Sequence, residues 1–341
     1  MYGVKLYSVP KNLNATIKLW HELGFDTLFI GQDCKTDSDF LEQLQYQGFF
    51  VNLIEPVFLA DEKTDPKLFA TTKYGHPAVD GWVRFVCPTN KEWLESFYNR
   101  FAEDSKLNVN SLSLDFIRFF QFWELITPEN NSTTIDTLKE TCFCPRCLEA
   151  QNAFLKSGKG KDTGDWRCSI INDITKSCRE ITVNSGVTAQ CNPKLLGLHA
   201  VPWTKNTFNG AVSKILGQNL TTLSEYVNFF TPMTYHHMMK TDVTYIKELV
   251  TDMENQVNKV QLSLKISRNI PIIPSVQLKN YYRDEKITLE ENKQTIQTGL
   301  EAGHGNLIYF QWTDIEENPE IINELKKYRH SPTKNGEYIG G

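Results

Sequence analysis

Eight short apolar runs, rich in β-branched and aromatic residues, recur along the chain, and polar residues follow each run. Short runs with little alternation of polar and apolar positions are typical of parallel strands that are covered on both faces. We therefore predict strands at Tyr2–Tyr7, Thr27–Gly31, Phe49–Ile54, Ser111–Ile117, Lys194–Ala200, Val227–Tyr235, Ile270–Val276 and Asn306–Trp312.

Helical patterns with recognisable start signals lie between these strands. Thr89 and Glu92 have the spacing of a capping box, and Thr288 and Glu291 repeat that spacing before a later helix. Pro319 stands where the last helix begins, a position that needs no N–H donor. Eight alternating strands and helices predict an α/β protein of the (β/α)8 TIM-barrel class. A doubly wound open sheet is the rival fold, but it usually has a Gly-rich turn after its first strand, and this chain has none.

Two connections are much longer than the rest. They contain Ala60–Trp82 after the third strand and Gln121–Gly164 after the fourth strand. Loops at the C-terminal end of a barrel carry its chemistry, so we expect these two loops to line a functional site. We expect residues 1–330 to form one barrel domain and residues 331–341 to form a flexible tail.

The composition excludes several classes of protein. The chain has 341 residues and a formal net charge of −5, which argues against a nucleic-acid partner. No apolar run reaches the roughly 18 residues that a membrane span needs. The first residues do not resemble a secretion signal, which favours a cytoplasmic protein, although a trimmed secreted or periplasmic chain would look the same. The oligomeric state stays open, and we expect no organic cofactor.

Cysteine is the most informative residue type. Cys142, Cys144 and Cys147 lie within six residues as Cys-x-Cys-x-x-Cys, a spacing that lets thiolates converge on one tetrahedral metal ion. Cys87, in the preceding long loop, is our candidate for the fourth ligand of a structural zinc site. Four sulfur ligands leave no open position for catalysis. Unliganded thiols, or disulfides in an exported chain, are the alternatives. No role is predicted for Cys34, Cys168, Cys178 and Cys191.

This cysteine pattern resembles the zinc site of the family 42 glycoside hydrolases, the barrel β-galactosidases. The similarity covers roughly residues 84–154. That family normally has a glutamate acid/base in an Asn-Glu pair after its fourth strand. This chain instead reads Ser-Leu-Asp-Phe-Ile-Arg-Phe-Phe-Gln-Phe-Trp-Glu from Ser113 to Glu124. The predicted zinc site is similar to the family, and the catalytic segment is not.

A broader similarity covers roughly residues 3–327. The segment Leu114–Arg118, the Cys142–Cys147 run and the Thr231–His236 segment resemble motifs of uncharacterised glycoside-hydrolase-like barrel families. The resemblance implies a carbohydrate-active barrel, with no known substrate.

Asp115 is the sharpest catalytic candidate. A charged residue inside an apolar strand is costly to bury unless it faces a polar site or a partner. Asp115 is predicted at the C-terminal end of the fourth strand, where an aspartate commonly acts as nucleophile or stabilises an oxocarbenium-like charge in glycosidases. A structural ion pair with Arg118 is the alternative.

A glycosidase needs a second carboxyl group that is protonated near neutral pH. Glu124 has aromatic neighbours that would raise its pKa, and Glu55 ends the third strand. We rank these two equally, ahead of Asp33 and Asp314. Each of them has the alternative of a solvated or helix-capping acid.

Further polar and flat side chains are predicted at strand ends, where sugars would find hydrogen-bonding and stacking partners. With Asp33 and Arg118, the candidate substrate-binding residues are His199, Trp203, Tyr235, His236, Gln277, Gln311 and Trp312.

Other enzyme classes fit less well. The first strand has no His-x-His for an amidohydrolase metal centre, and the chain has no Gly-x-Ser-x-Gly elbow. The predicted function is hydrolysis of a glycosidic bond in an oligo- or polysaccharide. The alternative is a non-catalytic glycan-binding barrel, since the predicted fifth and sixth strands end without a carboxylate.

Overall fold

The computed structural model of the chain describes residues 1–35, 37–127, 138–188, 193–264 and 269–328. The predicted tail and Cys191 lie outside these residues. Within them the strands are β1 (Tyr2–Leu6), β2 (Thr27–Ile30), β3 (Phe50–Pro56), β4 (Val79–Asp80), β5 (Val83–Arg84), β6 (Ser111–Asp115), β7 (Leu195–Ala200), β8 (Phe229–Pro232), β9 (Ser275–Gln277) and β10 (Leu307–Phe310).

The helices cover the outside of the strands. They are α1 (Leu13–Glu22), α2 (Ser38–Tyr46), α3 (Lys91–Asp104), α4 (Pro145–Lys156), α5 (Thr163–Thr188), α6 (Ala211–Lys214), α7 (Leu220–Leu223), α8 (Tyr245–Leu264), α9 (Leu289–Ala302), α10 (Trp312–Glu316) and α11 (Pro319–Leu325). Among the described residues, no helix combines the length and the apolar character needed to cross a membrane.

Eight parallel strands form the central sheet in the order β8-β7-β6-β3-β2-β1-β10-β9. Single parallel bridges from Phe230 to Ile272 and from Met233 to Ser275 join its two edges, so that the barrel is nearly closed. The predicted (β/α)8 barrel is confirmed. The strands β4 and β5 form a separate antiparallel hairpin inside the long connection after β3.

Most strands are somewhat shorter than the sequence predicts, and two differ from their predicted bounds more than the rest. The segment predicted as Ile270–Val276 contains Pro271 and Pro274, which have no N–H to donate, and the regular strand begins only at Ser275. The strand predicted to reach Tyr235 ends at Pro232. Met233 still bridges to Ser275, and the chain forms turns from His236 onward.

The start of α3 also differs from the capping-box prediction. Asn90, and not Thr89, caps the helix, and its side chain accepts a hydrogen bond from the amide of Trp93 at 3.0 Å. The Thr89 hydroxyl lies 3.1 Å from the sulfur of Cys147. The predicted cap at Thr288 and the predicted start of the last helix at Pro319 are confirmed, and Asn318 caps that helix.

Side chains alternate between the inside and the outside of the barrel along each strand. In β6, Ser111 and Ser113 hydrogen-bond to Asn52 of β3 inside the barrel, whereas Leu112 and Leu114 belong to the apolar core beneath the helices. Asp115 continues the inward series. This alternation decides which strand-end residues can reach the C-terminal mouth of the barrel.

Candidate active site and metal cluster

A cavity of about 480 Å³ opens at the C-terminal ends of the barrel strands. Its size lies within the range of small-molecule sites in proteins. Polar side chains and aromatic rings share its surface. The lining residues are Lys5, Tyr7, Gly31, Gln32, Asp33, Ile54, Pro56, Leu59, Trp82, Asp115, Phe116, Arg118, Trp123, Glu124, Met233, Tyr235, Met238, Tyr281, Tyr282 and Phe310.

Asp115 is the last residue of β6 and is partly buried at the cavity. The amide of Phe116 donates a 2.7 Å hydrogen bond to its Oδ1. Phe116 has a φ of 50°, a conformation that non-glycine residues rarely adopt outside sites where the surroundings enforce it. Burial raises the pKa of Asp115, while the charges of Lys5 and Arg118 and the Phe116 amide act in the opposite direction.

Glu124 lies on a short helical turn, Trp123–Leu125, in the loop after β6. Its side chain is buried, and its Oε2 has no hydrogen-bond partner among the described residues. Burial raises the pKa of Glu124 to about 7, against the lowering effect of the Arg118 charge. Glu124 is therefore a carboxyl group that keeps its proton close to neutral pH.

Arg118 connects the two acids electrostatically. Its guanidinium group lies over the ring of Phe85 at 4.8 Å and donates a 2.8 Å hydrogen bond to the carbonyl of Gln121. It influences the pKa values of both Asp115 and Glu124. The structure thus brings these three predicted residues to one cavity, together with Asp33 and Tyr235.

Lys5 is a cavity residue that the sequence interpretation missed. It is 1% exposed, and its Nζ lies 3.4 Å from both His199 Nδ1 and the Tyr235 hydroxyl. Burial lowers the pKa of Lys5 to about 8, and the Asp115 charge opposes that shift. A charged residue inside an apolar strand is the sequence signal that identified Asp115. The same signal could have identified Lys5 as a candidate site residue.

His199 lies inside the barrel, beneath the cavity. Burial, followed by the charge of Lys5, lowers the pKa of His199 well below its usual value. The neutral ring accepts from Lys5 at Nδ1 and donates from Nε2 to Ser113 Oγ at 2.9 Å, a tautomer assigned from the network. Ser113 donates to Asn52 at 2.6 Å, and Asn52 donates to Ser111 at 2.7 Å. This donor chain holds Lys5 in place from below.

Glu55 is not placed at the cavity. In β3 the side chains of Asn52, Ile54 and Pro56 face inward or line the cavity, so Glu55 points outward beneath α3. There it is fully buried, with Oε2 3.7 Å from Nε of Arg100. Its position corrects the expectation that it belongs to a catalytic pair.

Several predicted sugar-binding residues also lie away from the cavity lining. Trp203 packs against Phe208 with a ring distance of 5.1 Å, and Trp312, in α10, packs against Trp20 at 5.6 Å. His236 lies in the turn after β8 and pairs with Glu291 at 3.0 Å. Trp312 and His236 thus contact the helical layer, whereas Trp203 belongs to the buried apolar cluster that also contains Trp123 and Met238.

Two glutamines and Asp314 support cavity residues without lining the cavity themselves. Gln277 accepts a 3.1 Å hydrogen bond from the amide of Met238. Gln311 donates to the hydroxyl of Tyr281 at 3.2 Å, and that hydroxyl donates to Asp314. Met238 and Tyr281 both line the cavity, so these contacts order its walls.

The four predicted metal ligands lie together. The sulfur atoms of Cys87, Cys142, Cys144 and Cys147 are all within 4.8 Å of one another. Cys87 lies 3.7 Å from Cys142, 3.7 Å from Cys144 and 3.4 Å from Cys147. Four thiolates around a tetrahedral zinc ion, each about 2.3 Å from it, would be about 3.8 Å apart. The cluster can hold a metal ion of that geometry.

Hydrogen bonds to the sulfur atoms surround the cluster and connect two loops. The amide of Thr71 donates to Cys142 at 3.3 Å, and Arg146 donates to Cys87 at 3.3 Å. The amide of Phe143 also donates to the carbonyl of Thr71 at 2.8 Å. The loops after β3 and β6, which carry Trp82 and Glu124, are therefore joined at this point.

Comparison with known proteins adds evidence on the fold. No family model matches the chain, and no curated protein matches it in sequence. The glycoside hydrolase domain of PgaB (BpsB) from Bordetella bronchiseptica is similar in structure, with a TM-score of 0.66, 13% identity, and coverage of 97% of this chain and 99% of that chain. The chain has the fold of the glycoside hydrolase barrels.

Two β-galactosidases are also similar in structure. The enzyme from the psychrophilic Marinomonas ef1 has a TM-score of 0.63 and 11% identity, with 96% of this chain and 59% of that chain covered. The family 42 enzyme Gan42B from G. stearothermophilus has a TM-score of 0.60 and 11% identity, with 96% of this chain and 56% of that chain covered. This chain therefore spans less than two thirds of either β-galactosidase chain.

The outward position of Glu55 leads to a prediction on stability. Burial, and then the neighbouring Asp104 charge, raise the pKa of Glu55 to about 8. The folded protein thus keeps a proton that the unfolded chain loses near pH 4.3, so stability falls as pH rises across this interval. Glu55→Gln, which stays neutral, should weaken the fall in Tm between about pH 5 and pH 8. Thermal unfolding across this range measures it.

The matched control is Glu95→Gln, an exposed glutamate on α3. Its unfolding curve should follow that of the wild type at each pH. Parallel pH profiles for Glu55→Gln and the wild type would show that Glu55 holds no extra proton in the folded state.

Proposed function

We propose that the protein is a glycoside hydrolase that cleaves a glycosidic bond in an oligo- or polysaccharide. The observation that carries the proposal is a pair of carboxyl groups in different surroundings, Asp115 and Glu124, on one cavity. Paired acids whose surroundings separate their pKa values are the basis of acid/base assignment in glycosidases. The barrel fold, shared with glycoside hydrolases, supports the same function.

In the proposed mechanism, Glu124 donates a proton to the leaving-group oxygen. Its pKa of about 7 leaves roughly half of the molecules with a protonated Glu124 at pH 7, and its Oε2 is not held by another residue of the described structure. Asp115 acts in the ionised form, as nucleophile or as stabiliser of the oxocarbenium-like charge. Burial raises the pKa of Asp115, and the charges of Lys5 and Arg118 oppose that shift and so favour the ionised form.

We further propose that the four cysteines bind a structural Zn²⁺ ion. The sulfur separations and the four-thiolate donor set support zinc, and four protein ligands leave no position for a reacting molecule. The ion would neutralise thiolate charge and fasten the loop that carries Glu124 to the loop that carries Trp82. Its effect on catalysis would come through the shape of the cavity.

A non-catalytic glycan-binding barrel is the second candidate. Strands β7 and β8 end at Ala200 and Pro232, so neither strand end places an acid at the cavity. A binding protein would retain the aromatic and polar walls and show affinity for a glycan without turnover. A panel of soluble galactan, xylan, glucomannan and chitosan, with their oligosaccharides, distinguishes cleavage from binding alone.

Replacement of Asp115 tests the role of the proposed nucleophile or charge stabiliser. Asp115→Asn keeps the shape but removes the negative charge, so kcat on the cleaved glycan should fall at least ~100-fold, the scale of losing one electrostatic contact to a transition state. Reducing-sugar release measures the rate, and the exposed Asp39→Asn on α2 is the control. Unchanged turnover with intact folding would refute the assignment.

Replacement of Glu124 tests the proton donor. Glu124→Gln should lower kcat/KM on natural glycans by ~10²–10⁴, but much less on dinitrophenyl glycosides, whose leaving group needs no proton. In the wild type, kcat/KM should decline above about pH 7, where Glu124 loses its proton, and the variant should lack that limb. Equal losses on both substrate types would argue against a proton donor. Glu248→Gln, exposed on α8, is the control.

Metal analysis tests the zinc site without any assay of activity. Purified wild-type protein should contain about one zinc ion per chain. Cys87→Ser removes one ligand, so zinc affinity should fall at least ~10–100-fold and Tm should decrease. Cys168→Ser, a buried cysteine outside the cluster, should keep the full metal content. A wild-type protein that folds with the same Tm after removal of all metal contradicts the structural role.

A further inference from the structure

Strands β3 and β9 lie on opposite sides of the barrel. Three strands separate them along either path around the sheet, if the bridged edge between β8 and β9 is counted as closed. The hairpin β4–β5, after β3, carries Trp82, and the segment after β9 carries Tyr282. A contact between these two residues must therefore cross the mouth of the barrel.

Trp82 and Tyr282 make such a contact directly. The indole Nε1 of Trp82 donates a 2.7 Å hydrogen bond to the hydroxyl of Tyr282. Both side chains line the cavity on one side, and they are 48% and 43% exposed on the other. We name this pair the roof. It spans the cavity from one wall to the opposite wall.

The roof has support beneath it and at its sides. The ring of Phe122 packs edge-on against Tyr282 at 5.5 Å and lies 6.4 Å from the ring of Trp82. Gly81 has a φ of 54°, and a Cβ there would lie 3.1 Å from Phe122, so glycine lets the hairpin approach this ring. Lys139 forms an ion pair with Asp80 of the same hairpin. These contacts fix the roof in its position across the mouth.

On the β6–β8 side of the roof, Arg283 joins three loops of the rim. Arg283, next to Tyr282, donates to the carbonyl of Met238 at 2.7 Å and to the carbonyl of Glu124 at 3.0 Å. Trp123 and Met238 belong to one buried apolar cluster at this place. The described parts of the loops after β6, β8 and β9 are thus joined at this place.

On the β1–β2 side, the connections are short. Residues 7–12 join β1 to α1, and residues 31–35 follow β2. Tyr7 is 38% exposed there, and Gln32 and Asp33 line the cavity at the same side. On this side of the roof, the described loops that border the cavity are short.

We propose that the cavity is a blind pocket that takes the end of a glycan chain, and that Trp82 and Tyr282 determine this specificity. The inference rests on the proposed function and narrows it to exo action. An internal segment of a polysaccharide must enter a site and leave it again, which needs two open sides. The roof and the joined loops leave one open side, so a terminal sugar can enter and the rest of the chain extends past Tyr7 and Asp33.

This proposal is tested by analysing cleavage products. The substrate is the polymer of the galactan, xylan, glucomannan and chitosan panel that the wild type cleaves best. The wild type should release products of one short length from the start, with slow loss of viscosity. Trp82→Ala/Tyr282→Ala should raise the ratio of viscosity loss to reducing-end release several-fold. Tyr282→Phe, which keeps the ring on Phe122 but loses the hydroxyl, is the milder variant if the double variant does not fold. Tyr46→Ala/Tyr74→Ala, at exposed tyrosines outside the cavity, is the control.

A binding measurement separates this inference from the proposed chemistry. Glu124→Gln protein is titrated with oligosaccharides of increasing length from the same panel. One protein bound per chain at every length supports recognition of chain ends, even if no glycan is cleaved and the hydrolase proposal fails. Sites that increase with chain length, or internal cleavage by the wild type, overturn the inference while hydrolysis stands. No binding and no cleavage across the panel overturn both.

Discussion

Alternation of side chains along parallel strands decides what this barrel can do at its mouth. Each strand sends every second residue inward, and all eight strands end at the same rim. Lys5 and Asp115 fall on the inward series, and they meet at one cavity although 110 positions separate them in the sequence. Glu55 falls on the outward series, one residue from the cavity-lining Pro56, and is buried against Arg100 instead. A shift of one position would have exchanged these roles.

The rim itself has no regular ladder of hydrogen bonds, so other contacts must hold its loops. Three contacts hold them. The cysteine cluster joins the loops after β3 and β6, and Arg283 joins the loops after β6, β8 and β9. The hydrogen bond from Trp82 to Tyr282 joins opposite walls of the cavity. All three act on side chains that touch the cavity or on their neighbours. The shape of the site therefore depends on long-range contacts between loops more than on the strands that carry Asp115 and Lys5.

The difference between local strand patterns and long-range loop contacts explains how much of the structure could be predicted from the sequence. Apolar runs and helix caps were sufficient to predict the barrel, and closely spaced cysteines were sufficient to predict the metal cluster, because both signals are local in the sequence. Asp115 could be recognised because a charge inside an apolar strand needs a reason, and Lys5 satisfies the same criterion. Trp203, His236 and Trp312 were misplaced because all three follow the ends of their strands, where the alternation of side chains no longer determines their direction. The pairing of Trp82 with Tyr282 has no local signal, since it depends on two strands being opposite each other.

The donor chain beneath the cavity has a consequence for its net charge. Because His199 is held neutral, Lys5 and Arg118 are the cationic side chains among the described residues that line the cavity, and Asp33, Asp115 and Glu124 are the acidic ones. Counted as formal charges, the two cations match two of the three acids, so the cavity is balanced while Glu124 keeps its proton. The loss of one proton from Glu124 leaves the cavity negative by one. An uncharged ring can occupy the cavity without disturbing that balance, whereas a charged group would have to bring or displace its own counter-charge.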